Sequence, residues 1–178
     1  MSRILFIAML GLLQACSQSF TKPVPMALNV DIDRFMGDWY VVANIPTFIE
    51  VGAHNAVESY ELNEDGSIAT TFKFNADSFD GDLKVYEPTG YVSKQNTSIW
   101  GMQFIWPFKA EFIIAYLSDD YQHTIIARNA RDYVWVMSRS ADIPESTYHS
   151  LIKRCVEMGY EIENIQRVPH KFMLTNNQ

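Results

Sequence analysis

A glycine turn leads directly into a strand that begins with tryptophan in the stretch Phe35-Met36-Gly37-Asp38-Trp39-Tyr40-Val41-Val42-Ala43. Gly37 lets the backbone turn where a Cβ atom would obstruct it, and Trp39 brings a large apolar ring that must be buried. A second aromatic strand, Tyr133-Val134-Trp135-Val136-Met137-Ser138-Arg139, ends in a cation. We predict that Arg139 lies across the Trp39 ring at the closed end of a barrel, a cation–π contact worth about 1–2 kcal/mol. The spacing alone also fits an ordinary core tryptophan and an unrelated surface arginine.

The composition indicates one globular domain with a full core, since 48% of the 178 residues are hydrophobic. The formal net charge is −7, and the sequence has no basic stripe. An acidic chain of this kind is a poor candidate for binding nucleic acid or for electrostatic docking on anionic lipid. Nucleic acid is therefore not an expected partner.

The N-terminus carries a targeting signal. Arg3 precedes the apolar run Ile4–Leu13, which is too short to span a bilayer but suits a secretory signal peptide. The run ends in Leu13-Gln14-Ala15-Cys16, which resembles the lipobox of bacterial lipoproteins and implies cleavage before an acylated Cys16. The same resemblance implies that an aspartate directly after the cysteine would retain the protein in the inner membrane. Ser17 stands at that position, which favours the outer membrane. We therefore expect a signal peptide over 1–15, a lipidated N-terminus and tether over 16–27, and a folded domain over 28–178; the alternative is a plain signal peptide followed by an incidental cysteine.

Between Trp39 and Arg139 the chain repeats one pattern, in which β-branched and aromatic runs alternate with polar turns. The pattern predicts eight strands, near 39–45, 55–62, 68–75, 82–92, 97–105, 111–117, 122–128 and 133–139. The connection from Pro46 to His54 differs, because it is long and apolar. Such a loop suggests a lid or a membrane-facing rim.

A helix and a last short strand follow Arg139. Asp142 can cap the helix, Pro144 suits its first position, and Gly159 ends it. One face is apolar, formed by Tyr148, Leu151, Ile152, Cys155 and Met158. Cys155 is expected to be a buried small side chain rather than a reactive thiol, and the last strand is predicted from Glu163 to Val168.

These elements predict an all-β fold, an eight-stranded antiparallel up-and-down β-barrel with one C-terminal α-helix. Closure removes the exposed edges that so many hairpins would leave. An immunoglobulin-like sandwich is the alternative, but it fits the short connections and the lack of paired cysteines less well.

Three motifs then point to a family: Gly37-Asp38-Trp39-Tyr40, the corner Asp119-Asp120-Tyr121, and the strand that ends at Arg139. Over residues 28–170 the chain resembles a bacterial lipocalin of the outer-membrane lipoprotein type, and it is also similar to apolipoprotein D. Asp119 departs from the family pattern, which has threonine there, although a carboxylate can accept the same turn hydrogen bonds.

Alternation along the strands, aligned by this resemblance, predicts the side chains that face the barrel interior. Gly37, Trp39 and Arg139 are assigned to the closed end. A bulge in any strand would turn its set to the other face. Thr70, Phe74, Trp100, Trp106, Phe112, Met137 and Leu62 are expected to face inward as well, and the larger ones could simply fill the barrel. The residues predicted to contact a ligand are Val41, Ala43, Ala56, Glu58, Tyr60, Phe72, Met102, Phe104, Ile114, Tyr116, Tyr133 and Trp135.

Glu58 is the most informative of these positions. A carboxylate on the inward face must be protonated, paired or close to the mouth, because burying it bare is costly. It could then accept a hydrogen bond from a lipid headgroup, from Tyr60 or from Tyr116. If the register is shifted by one residue, Glu58 is an ordinary surface charge.

The resemblance implies a noncatalytic carrier of fatty acid or lysophospholipid, anchored to the outer membrane and serving envelope maintenance. One alternative is a filled barrel that binds a protein partner through the Pro46 to His54 loop. A lipid-modifying enzyme is less favoured, since no Gly-x-Ser-x-Gly elbow is present and the four histidines lack metal-ligand spacing. No cofactor or metal is expected, and a homodimer is possible by family similarity.

Overall fold

The computed structural model describes residues 22–171. The helices are α1 (Ile32–Phe35) and α2 (Glu145–Glu157), with a short 3-10 helix at Ile162–Asn164. The strands are β1 (Gly37–Ile45), β2 (Ala53–Leu62), β3 (Ser67–Ala76), β4 (Leu83–Tyr86), β5 (Thr89–Val92), β6 (Ile99–Ile105), β7 (Phe108–Leu117), β8 (His123–Ala127), β9 (Val134–Ser138) and β10 (Gln166–Arg167). The predicted signal peptide and Cys16 lie outside the described residues.

The strands form a closed barrel in meander order. From β1 to β9 each strand pairs antiparallel with the next along the chain, except that β4 pairs only with β3, which also pairs with β5. β1 also pairs with β9, which closes the sheet, and β10 pairs with β1. The predicted strand at 82–92 is divided at Glu87-Pro88 into β4 and β5, which both pair with β3. Because proline has no N–H to continue the ladder, the break falls there. The two short strands share one position, so the predicted eight-stranded barrel is confirmed and the sandwich is wrong.

Two apolar cores lie on the two sides of the barrel wall. The inner core fills part of the barrel and contains Phe35, Trp39, Val41, Tyr60, Ile68, Trp100, Phe112, Ile114, Ile126 and Met137. The outer core lies between the wall and α2 and contains Val42, Ala43, Ile113, Ala115, Ile125, Val134, Val136, Leu151, Ile152 and Cys155. Strands β1 to β9 therefore each have one face on the inner core or cavity, whereas both residues of β10 are exposed. β1, β7, β8 and β9 also bury their outer face under the helix.

Residues 22–27 belong to the folded domain rather than to the predicted tether. Val24 is buried in the outer core, and its N–H donates to Asn129 Oδ1 at 3.0 Å. Ala27 N–H donates to the carbonyl of Ile114 at 2.8 Å. The predicted boundary at residue 28 is thus wrong, because the segment before it packs along β7.

The closed end is held by Arg139, as the sequence predicts. Its guanidinium carbon lies 3.8 Å from the centre of the Trp39 ring. The same group donates to four backbone carbonyls, of Arg34, Phe35, Met36 and Asp38, at 2.8–3.0 Å. One side chain therefore ties α1 to the start of β1 and satisfies carbonyls that the short helix leaves unpaired.

Two local predictions need correction. Pro144 is itself the N-cap of α2, which begins at Glu145 without a side-chain capping bond, so Asp142 is not the cap. At the corner between β7 and β8, the turn hydrogen bonds go to Asp120 rather than Asp119. Asp120 accepts from the Ser118 hydroxyl at 2.6 Å and from the backbone of Gln122 at 3.1 Å.

The apolar face of α2 is as predicted, and burial raises the pKa of the Cys155 thiol to about 12.

Candidate ligand site at the open end of the barrel

The barrel is filled at one end and open at the other. Toward α1, the rings of Phe35, Trp39, Tyr60 and Trp100 pack with centroids 5.0–5.6 Å apart. Above them lies a cavity of about 510 Å³ that opens between the β1–β2 loop and the β6–β7 hairpin. A cavity of this size lies within the usual range for small-molecule sites, about 300–1,000 Å³.

A second hollow lies outside the barrel. It measures about 610 Å³ and runs between the N-terminal segment and α2. Charged side chains border it, namely Lys22, Arg131, Arg154 and Glu157. The interior cavity is the better site for a small apolar molecule, because its walls are mainly aliphatic and aromatic.

Half of the predicted contact residues line the cavity, and four more lie in the inner core. The cavity residues are Glu58, Phe72, Met102, Phe104, Tyr133 and Trp135. The inner-core residues are Val41, Ala56, Tyr60 and Ile114, which are buried but do not line the cavity. The inward orientation predicted for these ten side chains agrees with the structure; whether they contact a ligand stays a prediction.

The inward orientation that strand alternation predicts for Ala43 and Tyr116 is wrong. The pairing of β1 with β9 shifts between Val41 and Ala43, and the pairing of β7 with β8 shifts between Ile114 and Tyr116. Each bulge adds one residue and turns the following side chain to the opposite face. Both residues therefore pack in the outer core, and the Arg154 guanidinium stacks on Tyr116 at 4.1 Å.

The other side chains expected inside divide into a buried group and an exposed group. Trp100, Phe74 and Met137 belong to the inner core, with Thr70 buried in the same wall, and Phe112 reaches from the core to the cavity. Trp106 and Leu62 are exposed, because they follow or end their strands. Phe104, although half exposed, still lines the mouth.

Glu58 lies where the cavity meets the filled end of the barrel. Its carboxylate accepts a hydrogen bond from the Tyr60 hydroxyl, which is itself in the inner core. Burial raises the pKa of the Glu58 carboxyl to about 7, the nearby Glu50 charge adds to the rise, and the Tyr60 hydrogen bond opposes it. Near neutral pH this group is divided between its charged and neutral forms, so the deep end of the cavity can lose its charge without losing its hydrogen bond.

Glu50 is a buried carboxylate that sequence reasoning missed. It accepts hydrogen bonds from the Trp135 indole at 2.9 Å, the Asn44 amide at 3.2 Å, and the Thr47 backbone and hydroxyl at 2.9 and 2.7 Å. These bonds attach the β1–β2 loop to β9 and hold Phe48 and Ile49 at the mouth. The available signal was a single acid within an otherwise apolar loop.

Apart from Glu58, the charged side chains of the cavity stand at its mouth. Glu87, Glu111 and Arg128 line it together. Glu111 accepts from the backbone and the amide of Asn129, both at 2.7 Å. Arg128 donates to Asp132 at 3.1 Å, whereas its Nε is buried with no hydrogen-bond partner among residues 22–171. The site thus combines an apolar depth with a rim of both charge signs.

Two observations concern metal-ligating and thiol side chains in the described part of the chain. Among residues 22–171, no three His, Cys, Asp or Glu side chains are grouped so that they could hold a metal ion. Cys155 is buried in the outer core, away from the cavity lining.

None of the helices in residues 22–171 is long and apolar enough to cross a membrane.

Comparisons with known proteins agree with the barrel fold. Temperature-induced lipocalin-1 of Arabidopsis thaliana is 29% identical over 157 residues, covering 83% of each chain. Outer membrane lipoprotein Blc of Escherichia coli (strain K12) is 27% identical over 155 residues, covering 85% of this chain and 86% of its own. The solved structure of insecticyanin from the tobacco hornworm Manduca sexta superimposes with a TM-score of 0.65 at 12% identity, over 83% of this chain and 84% of the other. The family model of the lipocalin-like domain matches residues 30–170, and the chain therefore belongs to the lipocalin-like family.

Proposed function

We propose that this protein binds one long-chain amphiphile, a fatty acid or a lysophospholipid, in the barrel cavity and carries it without changing it chemically. Membership of the lipocalin-like family supports the binding of a small hydrophobic ligand. The observation that carries the proposal is the polarity gradient of the cavity. Phe72, Met102, Phe112 and Trp135 form apolar walls below, and charged side chains stand only at the mouth of the cavity and at Glu58.

This gradient matches an amphiphile that enters chain first. The acyl chain lies against the apolar walls, and its burial supplies about 0.8 kcal/mol per CH₂ group. The headgroup stays at the rim, where Arg128 faces an anionic group and Glu87 and Glu111 face an ammonium. Because the rim carries both signs, a zwitterionic lysophospholipid fits it better than a simple carboxylate does.

The proposed location is the outer membrane, by a lipid anchor on Cys16. The lipobox-like residues before Cys16 support it, as does the similarity to Outer membrane lipoprotein Blc. The proposed role there is to store, transport or maintain envelope lipids. Residues 1–15 would be removed, and Ser17 to Thr21 would then link the anchor to the folded domain.

Native mass spectrometry tests the proposal. The chain from Ser17 to Gln178 keeps every strand pairing and both cores described above, so it is purified without detergent and analysed for bound lipid. We expect a fatty acid or lysophospholipid in near-stoichiometric amount, or its uptake when lysophospholipid is added. A protein that contains no lipid and takes up none would overturn the proposal.

A further inference from the structure

A patch of large apolar side chains surrounds the mouth of the cavity, exposed to solvent. Phe48 is 87% exposed, Ile105 74%, Trp106 82% and Phe108 76%. The first belongs to the β1–β2 loop and the other three to the β6–β7 hairpin, and Phe48 and Ile105 also line the cavity. We call these four residues the mouth rim. Isolated apolar side chains are common on surfaces, but several large ones around one cavity opening mark an interaction site.

The N-terminal chain leaves the domain at the same end. The Lys22 carbonyl accepts from the Arg131 guanidinium at 2.8 Å, within the β8–β9 loop that brings Arg128 and Tyr133 to the cavity. Cys16 precedes Lys22 by six residues, so an anchor on it lies within about 20 Å of this end even if the chain is fully extended. A membrane that held an anchor on Cys16 would therefore lie within about this distance of the mouth end.

The chemistry of the mouth rim favours lipid over a charged partner. Trp106 and Phe108 flank the hairpin tip, and the Lys109 ammonium next to them lies 3.4 Å from the centre of the Tyr91 ring. Tryptophan and tyrosine are the residues enriched at membrane interfaces, and a lysine beside them can reach the headgroups while its stem stays in apolar surroundings. The net charge of −7 supplies no attraction to anionic lipid, so contact must come from apolar insertion.

We propose that the mouth rim docks on the surface of a phospholipid bilayer, with Trp106 and Phe108 inserted between headgroups and the cavity facing the lipid. The docking deepens the proposed function, because a lipid could then pass between bilayer and cavity without crossing water. The contact itself does not require that the cavity hold a ligand, and the two ideas can fail separately.

Vesicle co-sedimentation tests the docking. The chain from Ser17 to Gln178, which lacks Cys16, is mixed with vesicles of phosphatidylethanolamine and phosphatidylglycerol. The double variant Trp106→Ser/Phe108→Ser is compared with Leu28→Ser/Leu62→Ser, which removes two exposed apolar side chains at the other end of the barrel. We expect the first variant to lower vesicle binding about tenfold or more, the second to leave it unchanged, and added salt to have little effect.

Several outcomes would overturn the proposal. These are a parent chain that does not bind vesicles, equal loss in both double variants, and a concentration-dependent dimer in sedimentation velocity that depends on Trp106 and Phe108 without vesicle binding. Uptake of a fluorescent fatty acid is measured on the same proteins in buffer. Retained uptake in Trp106→Ser/Phe108→Ser shows an intact cavity, whereas vesicle binding by a parent chain that takes up no fatty acid leaves the docking standing and removes the carrier function.

Discussion

Replacing Glu58 by glutamine should make the protein more stable at neutral and alkaline pH. Glutamine keeps an oxygen that can accept the hydrogen bond from Tyr60, but it never carries the charge that burial disfavours. The carboxyl group has a pKa of about 7 in the folded chain and 4.5 as its ordinary value. The folded protein therefore binds this proton more tightly than the unfolded chain does, and the wild type loses stability as the pH rises through this interval.

The size of the effect follows from that interval. Below pH 4.5 both states are protonated and the carboxyl group costs nothing; above pH 7 the full cost of its charge is present. A difference of this size between the two pKa values corresponds to about 3 kcal/mol. The Glu58→Gln variant should thus gain up to about 3 kcal/mol over the wild type between these two limits.

Urea unfolding at a series of pH values measures this difference. The free energy of unfolding is determined for the wild type, for Glu58→Gln and for Glu61→Gln, which removes an exposed carboxylate from the same strand. We expect the curve for Glu58→Gln to diverge upward from the wild type as the pH rises, while Glu61→Gln runs parallel to it. If Glu58→Gln also runs parallel, Glu58 is not a carboxyl of raised pKa in the cavity.

Three further experiments test other parts of the structure. Arg139→Met should destabilise the protein by about 2–4 kcal/mol in urea unfolding, because it removes the cation–π contact with Trp39 and four hydrogen bonds to backbone carbonyls, of which that of Phe35 still accepts from the Trp39 indole; a loss below about 0.5 kcal/mol would contradict this. Glu50→Ala should speed amide hydrogen exchange over residues 46–52 while leaving the closed end protected, since the Trp135 indole loses its acceptor; unchanged exchange in the loop would refute the anchoring role. Cys155 should resist iodoacetamide at neutral pH until the chain is unfolded, because burial raises the pKa of its thiol; rapid alkylation of the folded protein would be inconsistent with the outer core.

Much of the barrel could be predicted from local patterns and motifs. Alternating runs and polar turns locate the strands, and the pair of Trp39 and Arg139 identifies the closed end. The strand interrupted at Pro88 could have been noticed from the proline alone. The helix face is correct because its apolar residues recur at helical spacing.

The cavity lining could be predicted only for the part of each strand that precedes a bulge. Alternation holds up to Val41 and Ile114, and then one added residue sends Ala43 and Tyr116 to the outer core. A bulge leaves no mark in composition, since it depends on how two strands pair. The role of Glu50 could not be predicted for a different reason, because its hydrogen-bond partners Asn44 and Trp135 come from separate strands. Which hydrogen-bond donors surround a loop residue is a property of the closed barrel.

Filling the cavity tests the central proposal most directly. Met102 faces the cavity and the next residue, Gln103, carries its side chain on the other face of β6. Isothermal titration with a long-chain lysophospholipid is therefore compared for the wild type, Met102→Trp and Gln103→Trp, with unfolding curves to confirm that all three fold. We predict saturable binding of one ligand by the wild type and Gln103→Trp, and at least about tenfold weaker binding by Met102→Trp, which loses apolar space for the chain. Equal affinity in all three proteins would contradict binding inside the barrel.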